Sequence, residues 1–270
     1  MPHTTTKRII LSLERPDLAD WGHQFCEGLF PQNEVRPLPL DQFFDRCQQS
    51  QVDDELLVIV LAADSKGHLS EGSSFVPQLL ASRTPVLVVR KPEGQTSPIT
   101  SFDRVVVPLD GSTIAGQAVP IASDVAQRMH WPVKFVMVID PKRVIPPAYA
   151  YDPEAWGVIE ELRTTAHWAL SQAEAMMEKD GVTATSDLIL GSINASLMAS
   201  MDATDIVVMT THGPTRQNMR YRESVARRVL MSTSQPILLM QGQPQTPIVV
   251  DGHQSSTWLE KPQCNTARIA

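Results

Sequence analysis

The chain has 270 residues, of which 42% are hydrophobic and 20% charged, with a formal net charge of −7 and a pI near 5.5. That balance suits a globular chain long enough for one large domain or two small ones with real cores. With 30 acidic residues against 23 basic ones, a general nucleic-acid binder or a membrane-surface binder is not expected.

The start, "MPHTTTKRIILSLERPD", has only a short apolar run before Glu14 and Arg15, and reads as a first strand rather than a signal peptide. No apolar stretch approaches the roughly 18–20 residues needed to span a bilayer. Cys26, Cys47 and Cys264 are scattered, odd in number and free of CxxC spacing, which favours a reducing compartment over a disulfide framework or a zinc site. A cytoplasmic location is expected.

In chain order the first part predicts β(7–13), α(17–29), β(35–39), α(40–50), β(55–62), α(72–82) and β(86–90). A linker rich in Pro, Gly, Ser and Thr follows, "RKPEGQTSPITSFD" from Arg90 to Asp103. The pattern then restarts with β(104–109), α(113–130), β(133–139), α(153–179), β(182–190), α(193–202), β(205–210), α(223–233) and β(236–240). Strands alternating with helices imply right-handed βαβ crossovers and a parallel sheet covered on both faces.

The two parts begin alike, "KRIILSLE" and "DRVVVPLD", and end alike, "TPVLVVRKP" and "QPILLMQGQP". This is an internal repeat of supersecondary units, the first about one βα step shorter. The long helix is expected to turn Trp156, Ile159, Leu162, Ala166 and Leu170 inward, with Asp152-Pro153 as its cap and first turn. The preceding "PKRVIPPAYAYDP" is too proline-rich for regular structure and predicts an exposed loop. After Gln241 the tail is polar and is expected to be irregular, apart from "TPIVVD" as a candidate edge strand.

The second unit resembles the universal stress protein family, through "VVVPLDGST" at Val105–Thr113 and "TDIVVMTTHGPTRQNMRYRESVARRVLMSTSQPILLM" at Thr204–Met240. The first unit matches more loosely, through "LLVIVLAADSKGHLSEGSSFVPQLLASRTPVLVV". The resemblance implies an α/β fold of two doubly wound parallel-sheet units, adenine nucleotide alpha hydrolase-like, in tandem. Five strands are expected in the unit at 102–241, about four in a shortened, diverged unit at 1–93, and an irregular tail at 242–270. It also implies a stress-response role and pairing of such domains, internally, between chains as a dimer, or both.

Doubly wound sheets bind ligands at the carboxyl ends of strands where strand order reverses. In the nucleotide-binding branch of the family the first strand ends in an Asp near the ribose and adenine. Asp110 takes that place, flanked by Pro108, Leu109 and Gly111. A short carboxylate accepts two hydrogen bonds from ribose hydroxyls. The same Asp-Gly-Ser is also a helix-entry signal, so Asp110 or Ser112 also reads as a cap, and both roles can hold together. Val138 matches the position whose backbone meets adenine, and reads otherwise as a core valine.

The phosphate loop of that branch runs Gly, two residues, Gly, nine residues, then Gly-Ser or Gly-Thr. Glycines let backbone approach phosphate, and a helix start offers free N–H groups and a positive dipole end. Here Thr210 stands at the first glycine position and Gly213 at the second; after Pro214 to Arg222, Glu223 replaces the third, and Ser224 keeps the hydroxyl ahead of Val225. Glu223 suits the helix by about 0.3–1 kcal/mol, but like charges about 5 Å apart repel by roughly 1–3 kcal/mol. That repulsion lowers phosphate affinity about five- to hundredfold.

Pro214 removes one donor N–H from the loop. Arg216, Arg220, Arg222, Arg227 and Arg228 make the segment basic, as phosphate contacts or as a solvated helix face. In the first unit Gly67, Gly72 and Ser73 remain at compressed spacing, Asp64 opens the loop, and Glu14 replaces the Asp-Gly-Ser turn. Nucleotide binding there is not expected.

No GxxxxGK[ST] loop, GxSxG elbow or metal-ligand spacing of histidines occurs, and His212 in its Thr-His-Gly context reads as structural. No catalysis, catalytic residue or metal is expected. Three readings stand: a binding or interaction module with an impaired nucleotide site, whose partners are proteins or a second copy; a working ATP or AMP site in the second unit; and, behind these, an ATP hydrolase or phosphotransferase.

Overall fold

β-Branched and leucine-rich runs flanked by amphipathic stretches form the strands of one sheet, because such runs are buried on both faces once helices cover them. A computed structural model describes residues 8–49, 55–70, 74–211 and 225–243. Its first half contains β1 (Arg8–Leu13), a 3-10 turn at Pro16–Leu18, α1 (Ala19–Leu29), β2 (Glu34–Pro37), α2 (Leu40–Cys47), β3 (Glu55–Ala63), α3 (Val76–Leu80) and β4 (Val86–Pro92). The second half continues with β5 (Arg104–Leu109), α4 (Thr113–Gly116), α5 (Ala118–Met129), β6 (Val133–Ile139), α6 (Pro141–Val144) and α7 (Pro153–Lys179). It closes with β7 (Ala184–Leu190), α8 (Ile193–Ala199), β8 (Asp205–Thr211), α9 (Val225–Ser232) and β9 (Ile237–Gln241).

The strand order is β2-β1-β3-β4-β9-β8-β5-β6-β7, nine strands among the described residues. Every pairing is parallel except β4 with β9, where Val86, Leu87 and Val88 run antiparallel to Leu239, Leu238 and Ile237. The α/β class, the five strands of the second half and the four of the first are as expected. Among the described residues the first half has no counterpart of β7 and its crossover helix α7, which is the missing βα step.

Two apolar layers sandwich the sheet, and each draws on both halves. One layer joins Phe25 and Val60 to Phe102, Val107 and Phe135; the other joins Leu79 and Val88 to Val229 and Leu239. Thr211 Oγ1 also donates to the Leu80 carbonyl at 2.5 Å, and the Gln241 N–H donates to the Ser82 carbonyl at 2.6 Å.

Several expectations need correction. The helix expected over 113–130 breaks at Gln117, because Pro120 cannot donate to the Gly116 carbonyl and its ring crowds that carbonyl. In α7, Ile159, Ala166 and Leu170 are buried as expected, but Trp156 and Leu162 are 43% and 38% exposed. The inward stripe instead continues through Ala169, Ala173 and Met177. Asp152 does cap α7, its Oδ1 accepting from the Glu154 N–H at 2.9 Å, with Pro153 in the first turn.

The segment read as an irregular loop holds α6, where Asp140 Oδ1 accepts from the Lys142 N–H at 3.1 Å, and a 3-10 turn at Pro147–Tyr149. Proline at the first helical position lacks only a donor that the helix leaves unused. The expected linker starts later than its composition suggests. Arg90, Lys91 and Pro92 extend β4 beside Leu61, Ala62 and Ala63, and Arg90 is 2% exposed. The "TPIVVD" segment lies outside the described residues.

Candidate functional site

The sheet opens where the family resemblance puts the ligand. β5 pairs with β8 only from Arg104↔Asp205 to Val106↔Val207. Past that point β5 keeps pairing with β6 up to Leu109↔Met137, and β8 with β9 up to Thr211↔Gln241. Pro108 supplies a reason. The Val105 N–H donates to Pro132 on the β6 side at 3.0 Å, so by alternation residue 108 faces β8, where proline has no N–H to give. Buried Pro108 and Leu109 therefore end at the crevice between β5 and β8, which is the point where strand order reverses.

At the mouth of this crevice Asp110 is exposed, and Oδ1 accepts from the Ser112 N–H at 2.9 Å. Gly111 between them has φ of +78°, a left-handed conformation that favours glycine. Ser112 is the helix cap: its Oγ accepts from the Ala115 N–H at 3.1 Å. Both carboxylate and hydroxyl thus serve the turn, and the two readings of Asp110 divide between the two residues. The cap belongs to Ser112, while Asp110 holds the turn with one oxygen and stays at the surface.

The crevice is also bridged. Thr210, at the first glycine position, is 9% exposed, and its Oγ1 donates to the Ile114 carbonyl of α4 at 2.5 Å. The chain leaving β9 lies on the same short helix. Gln117 Nε2 donates to the Gln243 carbonyl at 2.7 Å while its Oε1 accepts from the Gln243 N–H at 2.8 Å. Gly242 is required there, since a Cβ at that position would stand 2.5 Å from Ile114 Cγ2. Sequence reasoning did not single out Ile114, Gln117 or Gly242. Their only signal is the helix break that Pro120 imposes, which leaves Gln117 between two helices.

Val138 is half-buried in β6 against the second apolar layer, and Val225, the first residue of α9, is half-buried against it too. Gly213, Ser224, Glu223, His212 and the arginines at 216, 220 and 222 lie outside the described residues. Of the expected ligand set, Pro108, Leu109 and Asp110 meet at one strand end.

At the corresponding end of the first half two acids bind backbone N–H groups. Glu14 Oε2 accepts from the Ala62 N–H at 2.6 Å, taking up a backbone donor at the end of β3. Asp64 Oδ1 accepts from the His68 and Lys66 N–H groups, each at 2.8 Å, and those bonds, His68 first, hold its carboxyl below the usual range. Gly67 serves packing: a Cβ there would lie 2.6 Å from Ser234 Cβ, ahead of β9.

The amino ends of the same strands carry a matching pair of ion bridges. Arg104 forks onto Asp205, Nε to Oδ1 at 2.9 Å and Nη2 to Oδ2 at 2.8 Å, and Asp205 is fully buried. In the first half the register partner of Arg8 is Glu55, 3.7 Å from its guanidinium, and Arg46 also binds Glu55 at 2.6 Å. Among the described residues no three His, Cys, Asp or Glu come together as a metal site, and no helix is long and apolar enough to cross a membrane.

The model of the universal stress protein family matches residues 101–241, just over half of the chain. A universal stress protein of Methanocaldococcus jannaschii is 27% identical over 143 residues, 52% of this chain and 82% of the relative. Among solved structures, a universal stress protein from Archaeoglobus fulgidus superposes over 88% of this chain and 89% of its own at 15% identity, with a TM-score of 0.53. That span includes most of the first half as well as the second, so the fold likeness extends beyond the matched region. A universal stress protein solved in complex with cAMP aligns with 52% of this chain and 98% of its own at 18% identity, with a TM-score of 0.39. The chain belongs to the universal stress protein family.

Proposed function

We propose that this chain is a cytoplasmic tandem universal-stress-type protein that works as a binding or interaction module with an impaired nucleotide site. Family membership supports a stress-protein-type role. The tandem reading is supported by the shared strand-end chemistry: Arg8 and Glu55 occupy the register that Arg104 and Asp205 occupy in the second half. The first half is then a diverged copy that lacks one βα step. Its β4 meets β9 edge to edge, as one domain would meet another within the chain.

The observation that carries the impaired site is the bond from Thr210 to the Ile114 carbonyl at 2.5 Å. A glycine there would leave the strand end open to a phosphate, whereas threonine spans the crevice with its side chain. Glu223, in place of a glycine, adds a like charge where phosphate would sit. Among the described residues of the crevice no nucleophile is paired with a base, which supports binding over hydrolysis or phosphotransfer. Mass spectrometry of the purified chain tests this reading. No retained adenine nucleotide is expected; stoichiometric ATP or AMP overturns it.

A second reading, a working ATP or AMP site in the second half, is favoured by the splayed ends of β5 and β8 and by surface Asp110. Its ligands are Pro108, Leu109, Asp110, Val138, Gly213, Ser224 and Val225. Under it, Asp110→Ala and Ser224→Ala each weaken nucleotide binding; unchanged affinity rejects those roles.

A further inference from the structure

The two outer strands of the sheet are finished differently. β2 is four residues long and closes on Pro37. Pro37 sits opposite Leu11, and the Leu38 N–H reaches the Leu11 carbonyl at 2.9 Å, so by alternation Pro37 is the outward residue and has no N–H to offer a further strand. β7, at the other edge, is seven residues long, contains no proline and pairs with β6 alone. The Val133 N–H donates to the Thr183 carbonyl and the Gly191 N–H to the Ile139 carbonyl, both at 2.9 Å. By alternation Thr185, Asp187 and Ile189 address β6, while Ala184, Ser186, Leu188 and Leu190 turn their N–H and C=O groups outward. Among the described residues none of these outward groups has a hydrogen-bond partner. Such a row is a template for another strand.

Helix α7 overhangs this edge. Just past its last residue, Asp180 accepts from Ser123 Oγ of α5 at 2.5 Å, and its carbonyl accepts from Gln127 Nε2 at 2.9 Å. The flank of Leu162, Ala169 and Met176, in line with Asp180, therefore faces α5. Across the buried stripe, the flank over the β7 edge carries Trp156, Glu160, Arg163, His167, Glu174 and Glu178. Arg163 is paired with Glu160 at 3.1 Å, whereas Glu174 and Glu178 have no ion partner among the described residues. On the α7 face of β7, Ala184 and Leu188 pack into the core and Leu190, at the carboxyl end, is 44% exposed.

We propose that β7 is a docking edge for an extended, basic segment of another protein. The segment pairs antiparallel with Ala184, Ser186, Leu188 and Leu190, two basic side chains meet Glu174 and Glu178, and an apolar one covers Leu190. The spacing fits: Glu174 and Glu178 lie about 6 Å apart along the helix, and alternate residues of a strand about 7 Å. An antiparallel edge joint already exists in this sheet, between β4 and β9.

Charge decides against two other occupants. A second copy would bring two flanks of three glutamates and one arginine together across a two-fold axis. The chain beyond Gln243 has no lysine or arginine before Lys261, and nowhere two at alternate positions. β7 is separated from the crevice between β5 and β8 by β6, so this surface serves an interaction module whichever reading of the nucleotide site holds.

The test uses the full chain, ¹⁵N-labelled, with the blocked peptide acetyl-Thr-Leu-Thr-Lys-Thr-Lys-Thr-amide as probe. The amide resonances of Ser186, Leu188 and Leu190 are expected to shift saturably, and the same peptide with Glu for both lysines to leave them in place. Ser186→Pro removes one outward donor at an edge position that tolerates proline, and is expected to weaken peptide binding about tenfold. Glu174→Gln combined with Glu178→Gln is expected to weaken it about tenfold at low salt and less at high salt. Unmoved edge amides overturn the proposal, as do equal shifts with the Glu peptide or undiminished binding by either variant. The Gln variant changes only surface side chains and decides the matter should Ser186→Pro not fold. Edge amides that shift with protein concentration alone assign the edge to a second copy, and overturn it too.

Discussion

The two halves agree at the amino ends of their strands and part company at the carboxyl ends. At the amino ends, Arg8 faces Glu55 and Arg104 faces Asp205, each the first residue of its strand. These bridges tie the strand that begins each half to the strand that follows its last crossover but one. At the carboxyl ends, Glu14 reaches across to the Ala62 N–H of β3, while Asp110, exposed like Asp64, bonds only within its own turn beside a split in the sheet. The difference teaches that the scaffold and the site answer to separate constraints. Burial and pairing keep the strand starts alike, whereas the more exposed strand ends differ in what their acids bind.

The largest expected effect breaks the better of the two bridges. Asp205→Ala removes the fork from Arg104 and the acceptor for the Asp202 N–H at 2.7 Å. Losing a buried pair costs about 3–5 kcal/mol, and the quarter exposure of Arg104, at 26%, lowers this to about 2–4 kcal/mol. Urea unfolding measures it. Glu55→Ala in the first half is expected to cost less, about 1–2 kcal/mol, because Arg8 is 43% exposed and Arg46 34%. Equal losses would mean that the bridges are equivalent and the asymmetry is only apparent.

Cys26 and Cys47 report whether the halves unfold together. Burial pushes their thiols up, to about 12 and about 11, so both resist thiol reagents at neutral pH while the first half stays folded. Both apolar layers run through the seam, so Asp205→Ala in the second half is expected to speed labelling of both cysteines in proportion to its stability loss. Labelling unchanged by the variant would separate the halves into independent units. The smallest effects lie at the turns: Ser112→Ala loses a helix cap worth about 1 kcal/mol, and Glu14→Gln, which retains an acceptor for the Ala62 N–H, less than about 1 kcal/mol.

How much of this was legible depends on the range of the physics. β5, β6 and α7 fall at the residues expected, because β-branched runs, a Pro-containing first turn and helical periodicity are local signals. Trp156 and Leu162 were misplaced because an apolar residue near a stripe is not thereby in it, and Trp156 turns its Nε1 to the Ala150 carbonyl at 3.0 Å instead. Composition puts Arg90 both at the end of a strand and at the start of a linker; its partners, Leu230 and Gln235, lie 140 and 145 residues away. For the site, Asp110 and Ser112 were legible as a turn. The split beside Pro108 depends on which neighbour each strand addresses, and the Thr210–Ile114 bond spans 96 residues, which no local pattern encodes.

Calorimetric titration of ATP into the wild-type chain and into Glu223→Gly, side by side, tests the impaired-site reading most directly. Removing one like charge is expected to strengthen binding about five- to hundredfold, from a wild-type affinity weaker than micromolar. Micromolar binding by the wild-type chain, unchanged in Glu223→Gly, would contradict it.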